Sequence, residues 1–203
     1  MRKSLFSLLF LALFLSACGG NDTATVDAEM KEEIAPAAES VAFKPAAEAL
    51  ANGENAARVG GMLMQKFDAV SNASTGTLNP TESREFVRVA TELADKYPND
   101  TLAALPLYRA AEVVRALNDP KRAAAIYKQV HDTYPTFSKA PEALFMLAFT
   151  YDEDLGNLEA AKATYEKFLK LYPDNVFAEA TPMLIQNLGK SDEEILRQLE
   201  EQQ

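Results

Sequence analysis

A fifteen-residue phrase occurs twice in this chain, and it limits the possible folds more than any other feature. KRAAAIYKQVHDTYP, Lys121 to Pro135, returns thirty-eight residues later as EAAKATYEKFLKLYP, Glu159 to Pro173. Ala123/Ala161, Ala125/Ala163, Tyr127/Tyr165, Tyr134/Tyr172 and Pro135/Pro173 stand in register. A period of this size marks a repeat architecture, in which each unit is one supersecondary piece that cannot bury its apolar face alone. The expectation is a stack of such pieces.

The apolar residues within each phrase fall at helical spacing: Ala123, Ile126, Tyr127, Val130 and Tyr134, then Ala161, Tyr165, Phe168 and Tyr172. Ala140 to Tyr151 supplies a helix between them, with Leu144, Leu147, Ala148 and Tyr151 on one stripe and Gly156 where a left-handed cap residue belongs. Tyr-Pro closes three apolar helices, at Tyr97-Pro98, Tyr134-Pro135 and Tyr172-Pro173. Proline blocks helical continuation and biases the residue before it away from the helical region.

This pattern resembles the tetratricopeptide repeat. Leu144, Leu147, Ala148, Tyr151, Ala161, Tyr165, Phe168 and Pro173 occupy its places once one extra residue is allowed in the turn, and Leu107, Ala110, Ala111, Val114, Ala123, Tyr127, Val130 and Pro135 do so one unit earlier. The resemblance implies an all-α fold: a right-handed α-solenoid of about three helical hairpins over residues 81–189, closed by a C-terminal capping helix over 190–203. Thr81 is expected to cap the helix Glu82 to Tyr97, whose face carries Phe86, Val89, Ala90 and Leu93. Ahead of it, residues 45–80 read as a degenerate leading helix, Ala56 to Asn72, weakened by Gly60 and Gly61, followed by a loop. Behind the repeats, Phe177 to Leu188 is expected to form a helix stopped by Gly189. Ser191 and Glu194 then make a capping box, and Ile195, Leu196 and Leu199 would dock the last helix.

The first residues have a different character. Arg2 and Lys3 precede the apolar run Leu5 to Leu15, then Ser16 and Ala17 lead to Cys18, which is the order of a secretory signal. LSAC, Leu15 to Cys18, is similar to the lipobox of bacterial lipoproteins. That resemblance implies a signal peptide over residues 1–17, cleavage before Cys18 and acylation of Cys18. Cys18 is the one cysteine of the chain and has no disulfide partner within it. Residues 18–44 are poor in apolar side chains and rich in Ala, Thr and acids, so they read as a flexible acidic tether. Gly19 in place of Asp leans toward the outer membrane, facing the periplasm.

No nucleophile with a base, metal-ligand cluster or phosphate-cradling loop stands out, so the expectation is a non-enzyme without cofactor or metal. The single His131 is placed on the outer side of its helix. A net charge of −10 argues against nucleic acid as a partner. What the repeat resemblance implies instead is binding of a protein or peptide of the cell envelope on the face of the first helices. The inward positions carried over from the repeat pattern are Tyr108, Glu112 and Arg115 in one unit and Glu142, Phe145, Phe149 and Asp152 in the next. Self-association into a structural envelope lipoprotein is the alternative, and a solute-binding role would need a concave pocket with convergent polar groups.

Overall fold

The computed structural model describes residues 39–201. The signal-like segment, Cys18 and the tether up to residue 38 lie outside the described residues. Residues 39–201 form an all-α stack. It begins with α1 (Lys44–Ala51), α2 (Ala56–Gln65), a 3₁₀ turn (Phe67–Val70) and α3 (Pro80–Lys96). After a second 3₁₀ turn, Thr101–Ala103, come the paired helices α4 (Ala104–Ala116) and α5 (Pro120–Thr133), then α6 (Ala140–Phe149) and α7 (Leu158–Leu171). Two shorter helices, α8 (Thr181–Asn187) and α9 (Asp192–Glu200), end it.

Local chemistry sets most of the helix starts. Asn79 accepts from the backbone N–H groups of Thr81 and Glu82 at 3.1 and 3.2 Å, with Pro80 in the first turn, where its missing N–H costs nothing. Asn79, not Thr81, is therefore the cap of α3. Asp119 caps α5 ahead of Pro120 in the same manner, and Asn157 caps α7 through the Ala160 N–H. The two tight interhelical turns match as well: Asn118 and Gly156 both take left-handed conformations, φ 62° and 59°, directly before those caps.

The stack is held by small residues where helices approach and by large ones between them. Ala110, Ala111, Ala123, Ala148 and Ala161 are fully buried, as are Leu107, Tyr127, Tyr165 and Phe168. The Tyr-Pro stops have a second role. Tyr97, Tyr134 and Tyr172 sit at the C-caps of α3, α5 and α7 with nearly the same backbone, φ between −136° and −121° and ψ between 57° and 62°. Each hydroxyl reaches back along the stack. Tyr97 donates to the Glu54 carbonyl at 2.8 Å, Tyr134 approaches the carbonyls of Ala94 and Tyr97 at 3.2 and 3.3 Å, and Tyr172 lies 3.2 Å from His131 Nε2. Carbonyls left open at the end of α3 thereby gain a donor from the next unit.

The extra residue in the second repeat has a definite location. α6 runs on into a π turn, Thr150–Asp154, closed by the Leu155 N–H donating to the Thr150 carbonyl at 3.1 Å. A π turn spaces its bonds five residues apart, so it absorbs one additional residue without breaking the helix.

Several boundaries differ from the sequence reading. The leading helix stops at Gln65 rather than Asn72, because the chain tightens into a 3₁₀ turn and then a small loop bridged at Ser71 and Leu78. Gly60 is buried there, and a Cβ would stand 3.1 Å from the Leu102 carbonyl, so the glycine permits the close approach of α2 to the start of the next unit. Residues 40–44 are packed rather than tethering: Phe43 is fully buried with its ring 5.2 Å from that of Phe86, and Ser40 donates to Glu82 at 2.5 Å. At the other end, α8 begins only at Thr181. The Ser191–Glu194 capping box forms, but Leu196 is 60% exposed and does not dock; the side chains of Ile195 and Leu199 lie outside the described residues.

Candidate functional site

The first helices of the two repeated units, α4 and α6, lie across α5 and share a face of alternating aromatic and charged groups. Tyr108 is held in the core with its hydroxyl donating to Glu142 at 2.8 Å. Lys139 approaches Glu142 at 2.6 Å and lies 5.3 Å from the Tyr108 ring centroid. Desolvation pushes the Glu142 carboxyl up, but the hydrogen bonds from Lys139 and Tyr108 outweigh it and hold the group below the ordinary glutamate range. Burial, reinforced by Glu142, keeps the Tyr108 phenol protonated.

Next to Tyr108 on α4, Arg109 pairs with Glu112 at 2.7 Å and covers the Phe67 ring. Further on, the Arg115 guanidinium lies 4.9 Å above the Phe149 ring and donates to both carboxylate oxygens of Asp154, one of them at 3.1 Å. Such a bidentate pair fixes the guanidinium plane over the ring, where cation and quadrupole attract. The π turn is what brings Asp154 under Arg115.

Of the seven residues expected on this face, Glu112, Arg115, Glu142 and Phe149 are half-buried on α4 and α6, whereas Tyr108, only 2% exposed, lies beneath them and touches the face through its bond to Glu142. Phe145 does not reach the face. It is a core residue, 8% exposed, stacked on Phe177 at 4.5 Å and tilted against Tyr165 and Phe168. Asp152 also departs from the expected place, because the π turn rotates it toward a C-terminal cavity lined by Gly156, Leu158 and Met183. Its carboxylate takes no hydrogen bond among the described residues, and desolvation followed by Glu153 raises its pKa. Sequence reasoning missed Arg109, Lys139 and Asp154; the signal for Asp154 was the one-residue excess of the repeat. His131 is likewise not on an outer face. It is 8% exposed, with Nδ1 2.7 Å from Asp132 and Nε2 against Tyr172.

A second concave feature lies at the start of α4. Gly60, Gly61 and Met64 of α2, Leu105 and Pro106 of α4 and Phe137 of the α5–α6 turn line an apolar groove of about 530 Å³. The glycine pair was its sequence signal. Among the described residues no group of three or more His, Cys, Asp or Glu side chains is placed to hold a metal ion.

The tetratricopeptide repeat family matches residues 107–136 and 142–175, which are α4 with α5 and α6 with α7. No curated protein and no solved structure matches the chain. Within an all-α solenoid of stacked helix pairs, these two stretches are similar to the tetratricopeptide repeat, a unit that generally mediates protein–protein interaction and is generally non-catalytic.

Proposed function

We propose that this protein is a membrane-anchored scaffold that holds a protein or peptide of the cell envelope on the α4–α6 face. The observation that carries the reading is the half-buried Arg115–Phe149–Asp154 cluster, with the Glu142–Lys139 pair further along the same two helices: an aromatic group and Arg set among paired charges, as at the energetic centres of interfaces. These side chains are already fixed by one another, so a partner would meet a preorganised surface with little side-chain entropy left to lose.

Anchoring is supported by the sequence alone. The charged, apolar, small-residue order ending in Leu15-Ser16-Ala17-Cys18 suits cleavage before Cys18 and acylation there, and several acyl chains hold a protein where one is marginal. Gly19 in place of Asp favours the outer membrane, with the repeats facing the periplasm.

Crosslinking and capture from membranes tests the binding face, comparing the unaltered protein with Arg115→Ala/Phe149→Ala. Phe145 is unsuitable for this purpose, because it is core. Loss of one captured envelope protein in the double variant, with helicity unchanged, is the expected result; capture of the same set by both proteins would remove the α4–α6 face from consideration. One observation favours a second reading, self-association: Val176, Met183 and Leu196 are 82, 65 and 60% exposed near the C-terminal end. Sedimentation that shows a stable oligomer, broken by Met183→Glu, would favour it.

A further inference from the structure

The apolar groove of about 530 Å³ along α2 and the start of α4 is bounded by Ala57, Gly61, Met64, Leu105 and Phe137, and no charged side chain lines it. Its openness comes from a glycine that the fold does not need. Gly61 lies inside α2 without a positive φ, and nothing lies within 4 Å of a Cβ built on it. Alanine or a larger residue would fit there and would favour the helix, since glycine in a helix interior is destabilising. The Leu102 carbonyl accounts for Gly60, whereas only an occupant of the groove accounts for Gly61.

The same chain carries a surface to match. Of the α-helices among the described residues, only α8 (TPMLIQN) has no charged side chain. It packs on α7 and leaves Pro182, Met183 and Gln186 exposed, Met183 by 65%. The last elements of a repeat stack ordinarily show a polar outer face, and α8 shows a methionine, a side chain that adapts its shape to irregular gaps.

We infer that α8 of one copy docks in the Gly61 groove of a second copy, with Met183 seated among Met64, Leu105 and Phe137. This goes beyond the α4–α6 reading and rests on self-association, to which it gives a site. None of the groove's lining residues belongs to the Arg115–Phe149–Asp154 cluster, so that face stays open. Charge selects the occupant: an unpaired charge is costly to bury in an uncharged groove, and α8 brings none. Pairing of two α8 helices with each other would leave the groove's apolar lining in water, whereas docking of helix into groove covers both surfaces. Because the two surfaces differ, the contact is heterologous and links copies into a ring or a row.

The test uses the full-length protein in its own membranes, as two co-expressed copies with different tags. One carries Ala57→Cys at the groove, the other Met183→Cys, and a short bismaleimide joins thiols that lie close; the unaltered protein controls for Cys18. The expected result is an adduct of two chains bearing both tags, absent when either variant is present alone. Adding Gly61→Leu to the Ala57→Cys copy should lower its yield about tenfold or more, the effect of refusing one aliphatic side chain its burial, without lowering the thermal melt. No two-tag adduct, an equal adduct from Met183→Cys alone, a yield unchanged by Gly61→Leu, or a melt lowered by it would each overturn the assignment. If sedimentation shows an oligomer that Met183→Glu breaks while the two-tag adduct is missing, the groove falls and self-association stands; a monomer with no adduct removes both.

Discussion

At the scale of single residues, tyrosines that look alike in the repeat do opposite things. Tyr134 is buried, its phenol pushed up to about 12 mainly by desolvation, and it serves two carbonyls of the preceding unit. Tyr127 is buried, and its hydroxyl has no hydrogen-bond partner among the described residues. Tyr134→Phe should therefore destabilise by about 1–2 kcal/mol, by leaving carbonyls unsatisfied, while Tyr127→Phe should be neutral or slightly stabilising. Urea denaturation of both variants separates the two, since a shared packing role would give equal effects. Glu142 gives a pH prediction. Its folded-state pKa lies below its unfolded value of 4.5, so its contribution is whole above that value and is lost as pH falls through the lower folded value. Asp152, raised in the fold, works in the other direction, since its protonation is favoured there. Denaturation midpoints followed from pH 6 to about pH 3 should thus fall less steeply in Glu142→Gln than in the parent. A parallel decline would mean that Glu142 is not coupled to folding.

At the scale of elements, the adjacent glycines of α2 should behave differently. Nothing lies within 4 Å of a Cβ built on Gly61, so Gly61→Ala should gain roughly 0.5–1 kcal/mol from helix propensity. On Gly60 the Leu102 carbonyl is 3.1 Å away, and Gly60→Val should cost about 1–3 kcal/mol as α2 is forced off the next unit. Thermal melts of the two variants check this, and like-signed shifts would contradict the close approach. The same helices show what a sequence does and does not carry. The α4–α7 hairpins were legible because Ala123/Ala161, Tyr127/Tyr165 and the Tyr-Pro stops repeat in register, and their turns carry local signals at Asn118 and Gly156. The role of Phe145 was not legible, since the face a helical residue presents depends on its neighbours, and the neighbour that buries it, Phe177, lies in an irregular turn. The π turn showed in the sequence only as one surplus residue, and only its geometry says that Asp154, rather than Asp152, meets Arg115. α1 escaped notice because eight residues give too short a period to read, and the packing of Phe43 on Phe86 is a contact distant in sequence.

At the scale of the whole molecule, the proposed scaffold joins an acylated N-terminus to a solenoid that presents one face. Labelled palmitate should enter the protein, and Cys18→Ser should abolish the label and release the chain from membranes; label retained in Cys18→Ser would rule out the anchor. The α4–α6 face, and no other, is proposed to meet the partner. A photo-crosslinking amino acid at Phe149 or at Met146, compared with one at the exposed Lys162 on α7, tests this in intact cells. One discrete adduct with a different envelope protein is expected from positions 149 and 146, and none from 162. The same adduct from position 162, or adducts formed solely with a second copy of this chain, would contradict the assignment of that face.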